Sequence, residues 1–405
     1  MDFVFHRLMA KDGKTMTNHL SPVLDWASKK NEYFLNSKFS EVQCKYFKSI
    51  LNSFLNLFNS HLFFLTSGTT ASSIQSLRWV ALSKESFLAS AQAVNQHLSS
   101  SKDDVWLQAL PSFHVGGLGI WARSALSGAK VVTLSQWNCE EFCQKLQDHQ
   151  VTLTSLVPTQ IYDLVERSKI CPRSLRAILV GGSSLSSSLY QRGRALGWPL
   201  LPTYGMTETC SQVATAHLRS LEDLEGDEKL LPPLEVLPHL HVEIGEGSRI
   251  EVTGLSLLTA YIGEVQGESR LIDPKKQGKF FSEDRGEVHT SEVQVLKILG
   301  RMGDFVKIGG EGVELSRLRA IFDEVKLELG VFEDLELLSV PDERLGNAIH
   351  LFCERKLSLE KTRSVMDQFN RRVLPFEKIR KVHHVSFIPR NSLGKLISSQ
   401  LLELL

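Results

Sequence analysis

Between residues 62 and 210, short apolar runs alternate with stretches of helical spacing, and the runs end in clusters of glycines and hydroxyl-bearing residues. Runs at 62–65, 79–83, 105–110, 130–134, 152–157 and 177–180 read as strands. Residues 84–98, a stretch near 140–147 and the residues after Pro158 read as helices, with Ser83 and the following Ser86 offering capping hydroxyls at the start of the first. Strands interleaved with helices predict an α/β fold built on a mostly parallel, helix-flanked sheet. Such sheets bind ligands outside the carboxyl ends of their strands. Four polar segments fall there: Thr66-Ser67-Gly68-Thr69-Thr70, Phe113-His114-Val115-Gly116-Gly117, Gly181-Gly182-Ser183-Ser184 and Tyr204-Gly205-Met206-Thr207-Glu208-Thr209. Together they predict one site on one edge.

The first of these segments suits a polyphosphate, because successive backbone N–H groups and hydroxyls form an anion-binding concavity. A Ser/Thr/Gly surface loop has the same composition. It is not a Walker loop, since no Gly-Lys-Ser/Thr ending follows.

Charge excludes other classes. Lys+Arg and Asp+Glu each number 46, so no basic field is present to hold nucleic acid or an anionic membrane. The 405 residues suffice for two domains. Cys44, Cys139, Cys143, Cys171, Cys210 and Cys353 form no framework and read as reduced thiols; Cys139 and Cys143 share a helical spacing without the further ligands a metal site needs. The sequence from Met1 to Arg7 lacks a basic region followed by an apolar core, and no uncharged run reaches membrane-spanning length. A cytoplasmic location is expected.

Apolar residues at Phe47, Ile50, Leu51, Phe54, Leu55 and Phe58 predict an entry helix covering a sheet. Beyond residue 240 short alternating runs (241–244, 249–252, 287–289) predict an antiparallel sheet or a small β-barrel-like part. The glycine-rich, charged run from Gly300 to Glu314 predicts a boundary, with residues 1–300 forming a large domain and 301–405 a small mobile α+β one. Its helix, 315–329, has Gly330 as a stop.

Taken in this order, over roughly residues 62 to 396, these segments resemble the adenylate-forming superfamily of acyl-CoA synthetases, peptide-synthetase adenylation domains and luciferases. Within it, the segments from Phe113 to Leu118 and from Tyr204 to Val213 look most like the o-succinylbenzoate–CoA ligases of menaquinone biosynthesis, the Ser211-Gln212 pair being the more telling detail. The resemblance implies a two-step reaction. A carboxylate attacks the α-phosphate of ATP to give an acyl-adenylate and pyrophosphate, and the thiol of coenzyme A then displaces AMP.

It also implies roles. Thr66, Ser67, Gly68, Thr69 and Thr70 hold the β- and γ-phosphates, Thr207 touches the α-phosphate and Glu208 ligates Mg²⁺. Tyr204 and Gly205, with Gly181, Gly182 and Ser183, line the adenine site. Asp284 and Arg301 bind ribose, and Lys395 is the mobile C-terminal lysine that reaches the α-phosphate and the attacking carboxylate. His114 either shapes the acyl pocket or is a satisfied buried histidine. Gly309, Gly310 and Glu311 match a loop that enters the site when the C-terminal domain rotates about a hinge at Gly303.

The chain departs from the pattern in three places. The family's Gly-x-Pro-Lys-Gly continuation reads Ala71-Ser72-Ser73-Ile74-Gln75-Ser76-Leu77-Arg78, so its lysine is absent unless Arg78 takes its place. Ser282-Glu283-Asp284 stands for Thr-Gly-Asp. The first loop lies early, at Thr66, where full-length relatives have a much longer leader. That leaves a sheet face for a partner subunit or a homo-oligomer to cover. Two other readings stand beside this one: a different acyl-CoA synthetase or carrier-loading adenylation enzyme, and a non-catalytic nucleotide-binding homologue whose altered loop has lost turnover.

Overall fold

Five parallel strands occupy the centre of the first half of the chain, in the spatial order Lys130–Thr133, Val105–Gln108, Leu153–Leu156, Ala177–Val180 and Leu200–Met206. They belong to a computed structural model that describes residues 24–36, 39–67, 77–222, 231–309, 311–331, 333–354, 358–391 and 394–405. The helices Val115–Ser127, Cys139–Asp148, Pro158–Glu166 and Ser187–Ala195 alternate with these strands.

Both faces of this block are buried, which explains apolar residues on both sides of its strands, Ala177–Val180 being apolar throughout. Successive residues point to opposite sides. Leu107, Leu156, Ile178, Val180 and Leu200 pack on Phe142, Leu146, Ile161 and Leu164. Their neighbours Trp106, Leu153, Ala177, Leu179 and Leu201 pack on Ala93, Val94 and Leu98.

Beyond Leu200–Met206 the same sheet continues antiparallel through Ser211–Ala216, Leu234–Val236, Gln294–Arg301, Phe280–Thr290, Arg249–Gly254 and Leu240–Ile244, eleven strands in all. Of the two arrangements expected beyond residue 240, the antiparallel one forms; the strands extend an open sheet and do not close into a barrel.

The Ser/Thr segment sits elsewhere than expected. It does not follow a strand of the parallel block but joins His61–Ser67 to Leu77–Ser83, an antiparallel pair in a separate five-stranded sheet with Glu32–Phe34, Ala260–Val265 and Glu268–Ile272. The entry helix is Glu41–Asn52, started by a Ser40–Gln43 capping box. Its Phe47, Ile50 and Leu51 cover Phe63, Trp79 and Ile262 on one face of that sheet. The other face, with Leu62, Phe64, Val80 and Leu82, packs on Phe87 and on Val213 of the large sheet. This packing brings the pair Thr66 and Arg78 beside Glu208, next to the end of the strand Leu200–Met206.

After Arg301 comes a hairpin (Phe305–Ile308, Glu311–Glu314), then the helix Leu315–Glu328, ended by Gly330 at φ 61°. Three strands, Leu335–Asp342, Gly346–Glu354 and Ile379–Val385, and the helix Leu359–Arg372 complete a unit with its own core of Leu318, Phe322, Leu337, Leu351 and Phe369.

Candidate active site

The strand Leu200–Met206 delivers the Tyr204–Glu208 segment. A bulge falls between Tyr204 and Gly205, and Gly205 presses so closely on Ser211 that a Cβ there would lie 1.8 Å from the Ser211 carbonyl oxygen. Only glycine fits, and the tight passage throws Thr207–Thr209 into a single 3₁₀ turn. Glu208 projects from this turn, largely covered, with 12% of its side chain exposed. Its Oε1 accepts a hydrogen bond from the Tyr261 hydroxyl at 2.8 Å, and its carbonyl accepts from Leu258 N–H at 2.8 Å. Burial and the neighbouring Glu208 push the Tyr261 phenol well up, so it stays a donor.

Tyr204 reaches the other way. Its hydroxyl donates to Asp284 Oδ2 at 2.7 Å, while Arg301 Nε donates to Asp284 Oδ1 at 3.0 Å. Asp284 and Arg301 are cross-strand partners, which is why residues 17 apart in sequence meet. The Ser282 hydroxyl accepts from Asp284 N–H at 3.0 Å. Gly181 ends the neighbouring strand with its Cα face against Thr203; a Cβ would lie 2.6 Å from Thr203 Oγ1. Gly182 follows at φ 85°. These two glycines and Ser183 line the same edge as Tyr204.

Lys395 arrives from the far end of the chain. Its N–H donates to Asn391 Oδ1 at 3.0 Å, and Asn391 N–H donates back to the Lys395 carbonyl at 2.8 Å. Arg390 anchors this turn, donating to the Gly394 carbonyl at 3.2 Å while its Nε donates to Asp334 at 3.1 Å and its Nη2 to Glu336 at 2.6 Å. Gly394 seats the turn on Thr159, at the start of the helix Pro158–Glu166.

Lys395 is exposed to solvent although protein atoms crowd around its side chain. Burial, with Arg301 beside it, lowers its amine below the ordinary lysine value, and Asp284 and Glu208 oppose the shift. His114 also feels Lys395. Burial and that cation push its imidazole down to about 4, leaving it neutral at physiological pH.

Thus Tyr204, Glu208, Asp284, Arg301, Lys395 and His114 come within electrostatic or hydrogen-bonding reach of one another. Thr66 lies at the base of the Ser/Thr hairpin, cross-strand from Arg78, which in turn reaches Glu208. The backbone of Ser67 ends the same strand. Gly68, Thr69, Thr70 and Gly310 lie outside the described residues. Gly309, at φ 60°, donates its N–H to the Leu345 carbonyl, so its hairpin is tied to the C-terminal sheet.

Three contributors escaped the sequence reading. Tyr261 lies in a strand with no motif around it, and only its distance to Glu208 marks it. Arg390 carried no signal beyond its nearness to Lys395. Arg123 is 2% exposed, and burial lowers its guanidinium to about 9. It lies over the Trp106 ring, donates to Gln212 Oε1 at 2.9 Å and has no carboxylate partner among the described residues. Gln212 belongs to the Ser-Gln pair already singled out, so one half of this contact was legible.

Comparison with known proteins places the site in context. A family model described as AMP-binding enzyme matches residues 53–244. The 2-succinylbenzoate–CoA ligase of Geobacillus sp. (strain WCH70) is 30% identical over 349 residues, covering 84% of this chain and 68% of the relative. That of Bacillus licheniformis is 29% identical over 320 residues, 78% of this chain and 64% of the relative. The chain therefore spans a little under two thirds of the length of some of these curated relatives. Among solved structures, o-succinylbenzoate CoA synthetase of Bacillus subtilis with the acyl-adenylate intermediate superposes with a TM-score of 0.68 at 25% identity, covering 84% of this chain and 68% of that one. Its complex with ATP and magnesium ion gives 0.67 at 25% identity, covering 84% and 69%.

Proposed function

Because the chain belongs to the AMP-binding enzyme family, alongside the 2-succinylbenzoate–CoA ligases, we propose that it is an ATP-dependent acid–CoA ligase acting on 2-succinylbenzoate. The observation that carries this is the convergence of Glu208, the Asp284–Arg301 strand pair and Lys395, from three distant parts of the chain, on one site. A carboxylate is a poor electrophile, and activation requires it to meet the α-phosphate in line while charge on the phosphates is neutralised. Lys395 would hold the attacking carboxylate oxygen against the α-phosphate. Asp284 would accept from the ribose hydroxyls, steadied by Arg301 and Tyr204, and Thr207 would donate to the α-phosphate.

The donor set fits Mg²⁺. Among the described residues no group of three or more His, Cys, Asp or Glu side chains could enclose a metal. Mg²⁺ characteristically takes one or two carboxylates and fills its remaining positions with substrate phosphates and water. Glu208 supplies one hard oxygen ligand of that kind. When bound, the ion would neutralise charge on the leaving pyrophosphate.

The second half-reaction, attack of the coenzyme A thiol on the acyl-adenylate, would need Lys395 withdrawn and the Gly309–Gly310 turn brought in. We propose that residues 301–405 swing as a unit about Gly303 for this purpose, and their separate core supports it. Arg123, a buried cation without a carboxylate partner among the described residues, supports an acid bearing a second carboxylate, as 2-succinylbenzoate does. Among the described residues no helix is long and apolar enough to cross a membrane. Balanced charge and free thiols support a cytoplasmic setting.

The test is thioester formation, followed by mass spectrometry, from ATP, coenzyme A and a panel of acids. Preferred turnover of 2-succinylbenzoate is expected. Equal or better turnover of fatty, benzoic or amino acids would overturn the substrate assignment. Acyl transfer only to a phosphopantetheinyl protein would overturn the acceptor.

A further inference from the structure

Arg78 stands at the base of the Ser/Thr hairpin, cross-strand from Thr66 and on the same face of the sheet. Its guanidinium lies over the Tyr261 ring, with Cζ 3.6 Å from the ring centroid. One terminal nitrogen is 3.9 Å from Glu208 Oε1, beyond hydrogen-bond distance. Its Nε is buried and has no hydrogen-bond partner among the described residues, while 38% of the side chain stays open to solvent. A guanidinium stacked in place, part open to solvent and beyond hydrogen-bond distance of its neighbouring carboxylate, is the arrangement expected of a side chain built to receive an anion.

The neighbouring strand makes room for it. A Cβ at Gly263 would lie 3.2 Å from Arg78 Cβ, so even the smallest side chain there would press on Arg78 and a branched one would press harder. Tyr261 therefore does two things at once. Its face fixes the plane of Arg78, and its hydroxyl fixes the rotamer of Glu208. Cation and carboxylate are held as a loose ion pair with no hydrogen bond between them.

We infer that Arg78 binds the β- and γ-phosphates of ATP, and that Tyr261 is the positioning residue that aligns it with Glu208. This rests on the ATP-dependent reading above. The guanidinium offers a planar fork that matches two phosphate oxygens, where a lysine offers a point charge. Stacking pre-sets the fork, so less rotamer freedom is lost on binding.

Equilibrium dialysis of ATP and AMP against the full chain tests this, with and without Mg²⁺ and with no acid present. AMP lacks both phosphates in question. Arg78→Met is expected to weaken ATP roughly 10- to 100-fold, the range for losing hydrogen bonds to a charged group, and to leave AMP within about twofold. Tyr261→Phe keeps the ring and loses the hydroxyl. It is expected to raise the Mg²⁺ concentration needed for tight ATP binding while leaving Mg²⁺-free ATP binding unchanged. Gly263→Val retains both side chains and displaces Arg78, so selective loss of ATP affinity is again expected; this variant decides the matter if Arg78→Met does not fold. Equal weakening of ATP and AMP, or of neither, in both Arg78→Met and Gly263→Val would overturn the assignment while leaving the ligase reading standing. Failure of the unaltered protein to bind ATP would overturn both.

Discussion

Gly394→Ala isolates the docking of Lys395 from its chemistry. Gly394 has φ 73°, and a Cβ there would lie 2.5 Å from both Thr159 Cγ2 and Thr159 Oγ1, and 3.1 Å from Thr159 Cβ. The positive φ penalises alanine wherever the turn sits, so it largely cancels between docked and withdrawn states. The clash arises only when the turn is seated. Relief requires Thr159 to rotate or the turn to lift, and the Arg390 contacts to Asp334, Glu336 and the Gly394 carbonyl resist lifting. Overpacking of this kind costs about 1–3 kcal/mol. The docked population should therefore fall roughly 5- to 150-fold relative to other conformers.

Two assays separate the half-reactions. Pyrophosphate release should fall by that factor, while thioester formation from preformed acyl-adenylate should stay within about twofold of the unaltered protein, because it does not use the docked turn. Adding Thr159→Ala removes the two atoms in the closest clash and should restore most of the lost adenylation. Equal loss in both half-reactions, or no rescue by Thr159→Ala, would refute a docked Lys395 as the adenylating state.

Other expectations are more direct. Lys395→Ala should abolish pyrophosphate release and spare thioester formation from acyl-adenylate. Burial lowers the Lys395 amine, so its cation is lost as pH rises through a value below that of free lysine; the alkaline limb of adenylation should fall there and move to higher pH in Lys395→Arg, measured by initial rates across pH. His114 is already neutral near pH 6, so His114→Asn should change KM for the acid and leave the pH–rate profile between pH 5 and 7 where it was. Asp104 bridges three strands through Arg176 at 2.8 Å and Thr152 at 2.7 Å. Burial would raise its carboxyl, but these hydrogen bonds outweigh it and leave the group lowered. Its contribution is present above the unfolded-state value and lost as pH falls through the folded one. Asp104→Ala should cost roughly 3 kcal/mol by urea denaturation, and that deficit should shrink in strong acid.

The parallel block was legible because strands buried on both faces leave nearly continuous apolar runs; Ala177–Val180 was found to the residue. The Ser/Thr segment was assigned to the wrong sheet for a related reason. An apolar strand followed by a polar turn reads alike whether the next element is a helix or an antiparallel partner, and the pairing of Thr66 with Arg78 is a tertiary fact. Motifs singled out Glu208, Asp284, Arg301 and Lys395, and the structure brings these four side chains within electrostatic reach of one another. Tyr261 and Arg123 had no such motif. One is an aromatic in a strand and the other a cation in a helix, and each acquires meaning only from what lies within 4 Å to 6 Å, about the reach of a hydrogen bond or a ring contact.

Acid-dependent ATP–pyrophosphate exchange tests most directly whether these distant residues assemble to activate a carboxylate. Exchange strictly dependent on 2-succinylbenzoate, independent of coenzyme A and lost in Lys395→Ala is predicted. A protein that binds ATP yet shows no exchange with any acid, or exchanges equally well without Lys395, would contradict it.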